Sequence, residues 1–219
     1  MSAKTGLERL HELFTAEGAL PENLLNEISR AWANHPEEIF RQRCGMAEVA
    51  LQETGVGELA VAALLFSGLP EAETNTVGVR DPMILKLMRG IRAVENLNTS
   101  KANIQSENFM KLLLLLSEDM QALLAVLATR IWQLRHLDTL PREAQQKLFS
   151  DLEHLYLPLA HRLGLYASKS EMEDFVMRMK HPEVYRNISR ELQESERERL
   201  KYIESFVRPI RRVLASKGM

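Results

Sequence analysis

A chain of 219 residues with 45% hydrophobic and 26% charged side chains has enough apolar material to bury a core, and a formal net charge of −2 gives no general attraction to nucleic acid or an acidic membrane surface. The single cysteine, Cys44, excludes an internal disulfide and suits a reducing, cytoplasmic setting; it reads as a small buried apolar residue. The amino terminus is amphipathic with no continuous apolar region, and the leucine run at 112–116 falls far short of the ~20 residues a spanning helix needs, so neither a signal peptide nor a membrane segment is expected.

Glycine and proline are sparse while Leu, Ala, Glu, Arg and Met abound, a composition that favours helix. Leu7, Leu10 and Phe14 recur at helical spacing, and Gly18 with Pro21 closes that segment. Leu24, Leu25, Ile28 and Trp32 form the next stripe, stopped at Asn34-His35-Pro36. A third helix is expected from about Pro36 to Glu53, with Gly55 as its left-handed cap. The apolar stretch from Leu59 to Leu65 reads as helix because it holds few β-branched residues and its neighbours are helical. Residues 66–80 read as a loop. Asp81-Pro82 pairs an N-cap with a first-turn proline, which starts a helix running to about Asn96. A polar, mobile stretch is expected over 97–105, and the helix carrying Trp132 should end at Asp138-Thr139-Leu140-Pro141. Leu148, Leu152, Leu155, Leu159 and Leu163 then share one face, with a kink expected at Pro158. A long helix should run from Pro182 to about Leu214, and its polar gap at 193–199 suggests partial projection into solvent.

Five stretches carry a resemblance. After Leu112–Leu116 and the break at Ser117-Glu118-Asp119 comes Leu127-Ala-Thr-Arg-Ile-Trp-Gln-Leu-Arg135. Tyr156-Leu-Pro-Leu-Ala-His-Arg-Leu-Gly164 follows, then Glu171-Met-Glu-Asp174 and His181-Pro-Glu-Val-Tyr185. This succession resembles the amino-terminal hydrolase half of the RelA/SpoT homologues, which make and destroy (p)ppGpp. The resemblance is firmest over 107–214 and weaker over 40–96. It implies an all-α, HD-domain-like bundle of about ten helices with a long carboxy-terminal helix. It divides the chain into residues 1–181, the HD part, and 182–219, a helix leading toward a synthetase domain that lies outside this chain; the chain reads as a fragment.

In that family a histidine, a His-Asp pair followed by an acidic pair, and a later aspartate gather one divalent metal, usually manganese. The metal lowers the pKa of its bound water, and the hydroxide attacks the 3′ pyrophosphate. The resemblance places the His-Asp pair on Ser67 and Gly68, the acidic pair on Glu71 and Ala72, and the later aspartate and asparagine on Thr129 and Gln133. The first histidine would fall between Arg43 and Gly45, where none occurs. Hydroxyls are poor ligands, glycine offers none, and Glu71 alone cannot hold manganese. The resemblance therefore implies a domain without a catalytic residue or bound metal, kept as a regulatory and structural part of a GTP pyrophosphokinase of the stringent response. The implied partners are its own synthetase domain, possible guanine nucleotide and, through the intact protein, the ribosome. The alternatives are an active hydrolase with a relocated site on Glu71, Asp81 and a histidine such as His136, a metal-free nucleotide sensor using the old pocket, and a helical scaffold unrelated to alarmones.

Other constellations favour structural readings. No two of the six histidines sit three or four apart, so no helical ligand pair exists. His154 and His161 could share a face but read as structural. Gly164 reads as a helix cap, with Arg162 paired to Glu171 or Glu173. Glu171, Glu173 and Asp174 suit a solvated first turn better than an acid–base pair, and Met172, Met177 and Met179 suit core or interface filling. Arg208, Arg211, Arg212 and Lys217 suit a solvated last turn better than an RNA contact. No glycine-rich phosphate loop or nucleophile elbow appears.

Overall fold

The structure, a computed structural model, describes residues 5, 6, 8, 11, 12, 22–70, 73, 79–96 and 119–216. Within them lie nine α-helices, one 3-10 turn and one π turn, with no strand, so the all-α expectation holds. The expected helix on Leu7, Leu10 and Phe14, the polar stretch at 97–105 and the leucine run at 112–116 lie outside the described residues. The chain divides into two compact units, Met1–Met172 and Glu173–Met219.

In the first unit, α1 (Glu22–Trp32) buries Leu24, Ile28 and Trp32, the expected stripe, and leaves Leu25 half-buried. Helix α2 (Glu37–Glu53) follows Pro36 and ends where Gly55 adopts φ +68°, the left-handed conformation a glycine tolerates without strain. Helix α3 (Glu58–Ser67) forms the centre of the core. Every residue from Ala60 to Phe66 is fully buried, so this helix is apolar on all sides and not on one stripe. The expected loop from residue 66 therefore begins two residues later than predicted, after Ser67.

Helix α4 (Pro82–Glu95) packs on α3 and starts as the sequence dictates: Asp81 Oδ1 accepts from the backbone N–H groups of Met83 at 2.8 Å and Ile84 at 3.4 Å. Helix α5 (Met120–Arg135) packs against α2 and α4. A 3-10 turn, Leu137–Thr139, leads to α6 (Arg142–Asp151).

The kink expected at Pro158 takes a specific form. Residues Leu152–Tyr156 make a π turn between α6 and α7 (Leu157–Arg162). Proline lacks an N–H and its ring crowds the carbonyl four residues back, here that of His154; the wider π turn spans that carbonyl. Leu148, Leu152, Leu155 and Leu159 are buried as expected, while Leu163 is half-buried because the helix has ended at Arg162. Gly164, φ +72°, closes the turn, and the Leu165 N–H donates back to the Ala160 carbonyl at 3.0 Å.

Helix α8 (Tyr166–Lys180) crosses the boundary between the units. In the second unit α9 (Pro182–Ser216) is a single helix of 35 residues. All residues from 190 to 206 are exposed, which extends the solvated stretch well beyond the expected polar gap.

Candidate functional site

Ser67 ends α3 and Gly68 caps it, while Thr129 and Gln133 lie on α5. Helix α2, which carries residues 43–45, packs on both α3 and α5, so the three segments meet. Glu71 and Ala72 lie outside the described residues. The hydroxyls turn inward on their own helices: Ser67 Oγ donates to the Leu64 carbonyl at 2.8 Å, and Thr129 Oγ1 donates to the Ala125 carbonyl at 3.1 Å. Gln133 Oε1 accepts from Arg130 Nη1 at 2.8 Å.

Two glycines mark where larger side chains press in. A Cβ at Gly68 would lie 2.6 Å from Arg43 Nε and 2.9 Å from its Cζ, so the guanidinium sits directly against that backbone. A Cβ at Gly45 would lie 2.3 Å from Trp132 Nε1. The Trp132 ring in turn stacks on His136, centroids 4.0 Å apart and planes 15° apart.

A charged cluster surrounds Arg43. Its Nη1 is shielded from solvent and has no hydrogen-bond partner. Burial lowers its pKa, Glu95 at the end of α4 opposes that, and nearby Arg130 reinforces it. Arg130 donates from Nε to the Tyr156 hydroxyl at 3.3 Å, its guanidinium 5.7 Å from the ring centroid. Burial disfavours its charge, but Tyr156, Glu95 and Asp151 outweigh that and raise its pKa. Burial pushes the Tyr156 phenol up, which keeps it neutral while its oxygen accepts from Arg130. Asp151, on α6, is buried.

A second clasp joins α2, α5 and α8. Arg135 donates from Nη1 and Nη2 to the two Glu53 carboxylate oxygens at 2.6 and 2.8 Å. From Nε and Nη2 it donates to the two Glu171 oxygens, both at 2.7 Å. Each pair is bidentate, the arrangement a planar guanidinium favours. Arg135, not Arg162, is therefore the hydrogen-bonded partner of Glu171. The hydrogen bonds to Arg135 hold the Glu53 carboxyl below its ordinary value, against the opposing effect of burial.

The relocated-site residues have other work. The Asp81 carboxylate caps α4, and His136 Nδ1 lies 2.9 Å from the Trp132 carbonyl oxygen, to which it can only donate. Similarly, His154 Nδ1 donates to the Ser150 carbonyl at 2.9 Å. Among the described residues no three His, Cys, Asp or Glu side chains converge to hold a metal ion. Among the described residues, the donor set around Ser67, Gly68 and Thr129 does not fit a divalent cation: the two hydroxyls serve their own helices and the adjoining side chain is itself a cation.

Sequence reasoning missed Glu95, Arg130, Tyr156 and Asp151, and met Arg43 and Gly45 only as flanks of an absent histidine. A signal was present at Gly45: a glycine inside a helix costs roughly 1 kcal/mol relative to alanine and so marks a close approach.

Residues 8–166 match the profile of the family described as HD domain. The guanosine-3′,5′-bis(diphosphate) 3′-pyrophosphohydrolase of Aquifex aeolicus (strain VF5) is 29% identical over 208 residues, covering 88% of this chain and 30% of that protein. The GTP pyrophosphokinase of Escherichia coli (strain K12) is 31% identical over 171 residues, covering 72% of this chain and 23% of that protein. The GTP pyrophosphokinase of Myxococcus xanthus is 34% identical over 120 residues, covering 55% and 16%. The chain thus spans under a third of the length of these relatives.

Proposed function

Because the chain belongs to the HD domain family, in the form found in RelA/SpoT homologues, we propose that it is a (p)ppGpp hydrolase-type domain that has lost hydrolysis. In the intact protein it serves as a structural and regulatory neighbour of a GTP pyrophosphokinase domain. One observation carries this reading. At the positions matched to the family's metal ligands, Ser67 and Thr129 spend their hydroxyls on their own helices, and Gly68 lies beneath the Arg43 guanidinium.

Hydrolysis of this kind needs imidazole and carboxylate ligands that fix a metal and ionise its water. A guanidinium in that place repels a second cation and stays protonated at any ordinary pH. The apolar faces still require a packed fold, so the domain persists without its chemistry. Such a domain acts on a neighbour by docking differently in two conformations, with a coupling set by the difference in contact energy. The names of the relatives, one a pyrophosphohydrolase and others GTP pyrophosphokinases, support the pairing of these two activities in one protein family. Incubating the purified chain with manganese and ppGpp is expected to release no pyrophosphate; chelator-sensitive release would overturn the reading.

A further inference from the structure

We propose that Arg43 is a resident cation of this domain, seated over Gly68 in the electrostatic place a metal ion would otherwise take. The inference rests on the reading above, that these positions match a metal site, and adds what has replaced the metal.

Three independent features meet at Arg43. Sterically, Nε, Cζ and Cδ all lie within 3.0 Å of where a Cβ at Gly68 would stand, so a residue with any side chain there would displace the guanidinium. Gly68 has φ −72° and ψ −13°, an ordinary right-handed conformation open to every residue. The tight space at position 68 is therefore set by the guanidinium and not by the backbone. Electrostatically, the groups acting on Arg43 and Arg130 include the carboxylates of Glu95 and Asp151, two negative charges against two positive. Topologically, Arg43 comes from α2, Gly68 caps α3, Glu95 ends α4, Arg130 lies on α5 and Asp151 ends α6. One side chain, Arg43, thus stands against the cap of the next helix and faces the charge of a carboxylate that ends a third.

Arginine suits this use because it cannot escape burial by losing its proton. The shielded, unpartnered Nη1 indicates that charge and shape hold it there and not a full set of hydrogen bonds. Removing Arg43 alone leaves the half-buried Glu95 carboxylate without the charge that opposes it, which costs more than removing both.

Two double-mutant cycles on the 219-residue chain test this by thermal unfolding. In the first, G68A lowers the midpoint by about 3 °C or more when Arg43 is present. In an R43A background the same change is neutral or raises the midpoint, because alanine restricts the unfolded chain. In the second, R43M lowers the midpoint and adding E95Q restores part of the loss. Equal shifts from G68A in both backgrounds, or a further loss from E95Q on top of R43M, would overturn the proposal. Neither readout involves nucleotide, so failure here is distinct from the pyrophosphate release that would overturn the loss of hydrolysis.

Discussion

At the scale of single residues, large side chains fill space left by small ones. Gly45 lies under the Trp132 indole, where a Cβ would be 2.3 Å from Nε1. Since Trp132 is buried and stacked on His136, it has little room to yield. G45A is expected to destabilise the fold by roughly 1–3 kcal/mol despite alanine's better helix propensity, measurable by urea unfolding. The Arg135 clasp makes a smaller contribution. Its side chains are about a third exposed, and solvent screening limits each pair to about 1 kcal/mol or less. The effect is nevertheless visible in pH dependence. Arg135 holds the Glu53 pKa below its unfolded value of 4.5. A depressed carboxyl adds stability that is complete above the unfolded pKa and lost as pH falls through the folded one. E53Q should therefore flatten the acid limb of the stability profile below about pH 4.5 relative to the native chain. Parallel acid limbs for the two proteins would refute the assignment.

At the scale of elements, local chemistry and tertiary packing divided the work, and the division explains what could be read in advance. The starts and stops were legible. Asp81-Pro82 opens α4, Gly55 follows α2 with positive φ, and Gly164 closes α7, each by a mechanism confined to a few neighbouring residues. D81A removes the acceptor for Met83 N–H and should cost about 1 kcal/mol, whereas D81N should cost much less. The π turn at Leu152–Tyr156 was legible only as a kink, because proline signals a disturbance without dictating how the chain absorbs it. The charged cluster was not legible at all. Arg43, Glu95, Arg130 and Asp151 are separated by 52, 35 and 21 positions, and each alone reads as an ordinary surface charge. Only the packing of α2, α4, α5 and α6 gives them a common address. The sequence brought Ser67, Gly68 and Thr129 forward through a resemblance, while the charges around Arg43 depend on contacts distant in sequence.

At the scale of the whole molecule, the proposed loss of metal chemistry makes a thermodynamic prediction. A ligand that binds only the folded state stabilises it by RT ln(1 + [L]/Kd), about 2.7 kcal/mol at a hundredfold excess over Kd. Millimolar manganese should leave the melting midpoint unchanged within error, and so should a chelator. A rise with manganese that the chelator reverses would reveal a site. The Gly68–Arg43 contact also bears on the domain's history. If position 68 once held the family's aspartate, as the proposal has it, putting a side chain back there would oblige the guanidinium to move before any metal could bind. On that reading, recovery would demand change on more than one helix at once, and the contact would work as an evolutionary ratchet.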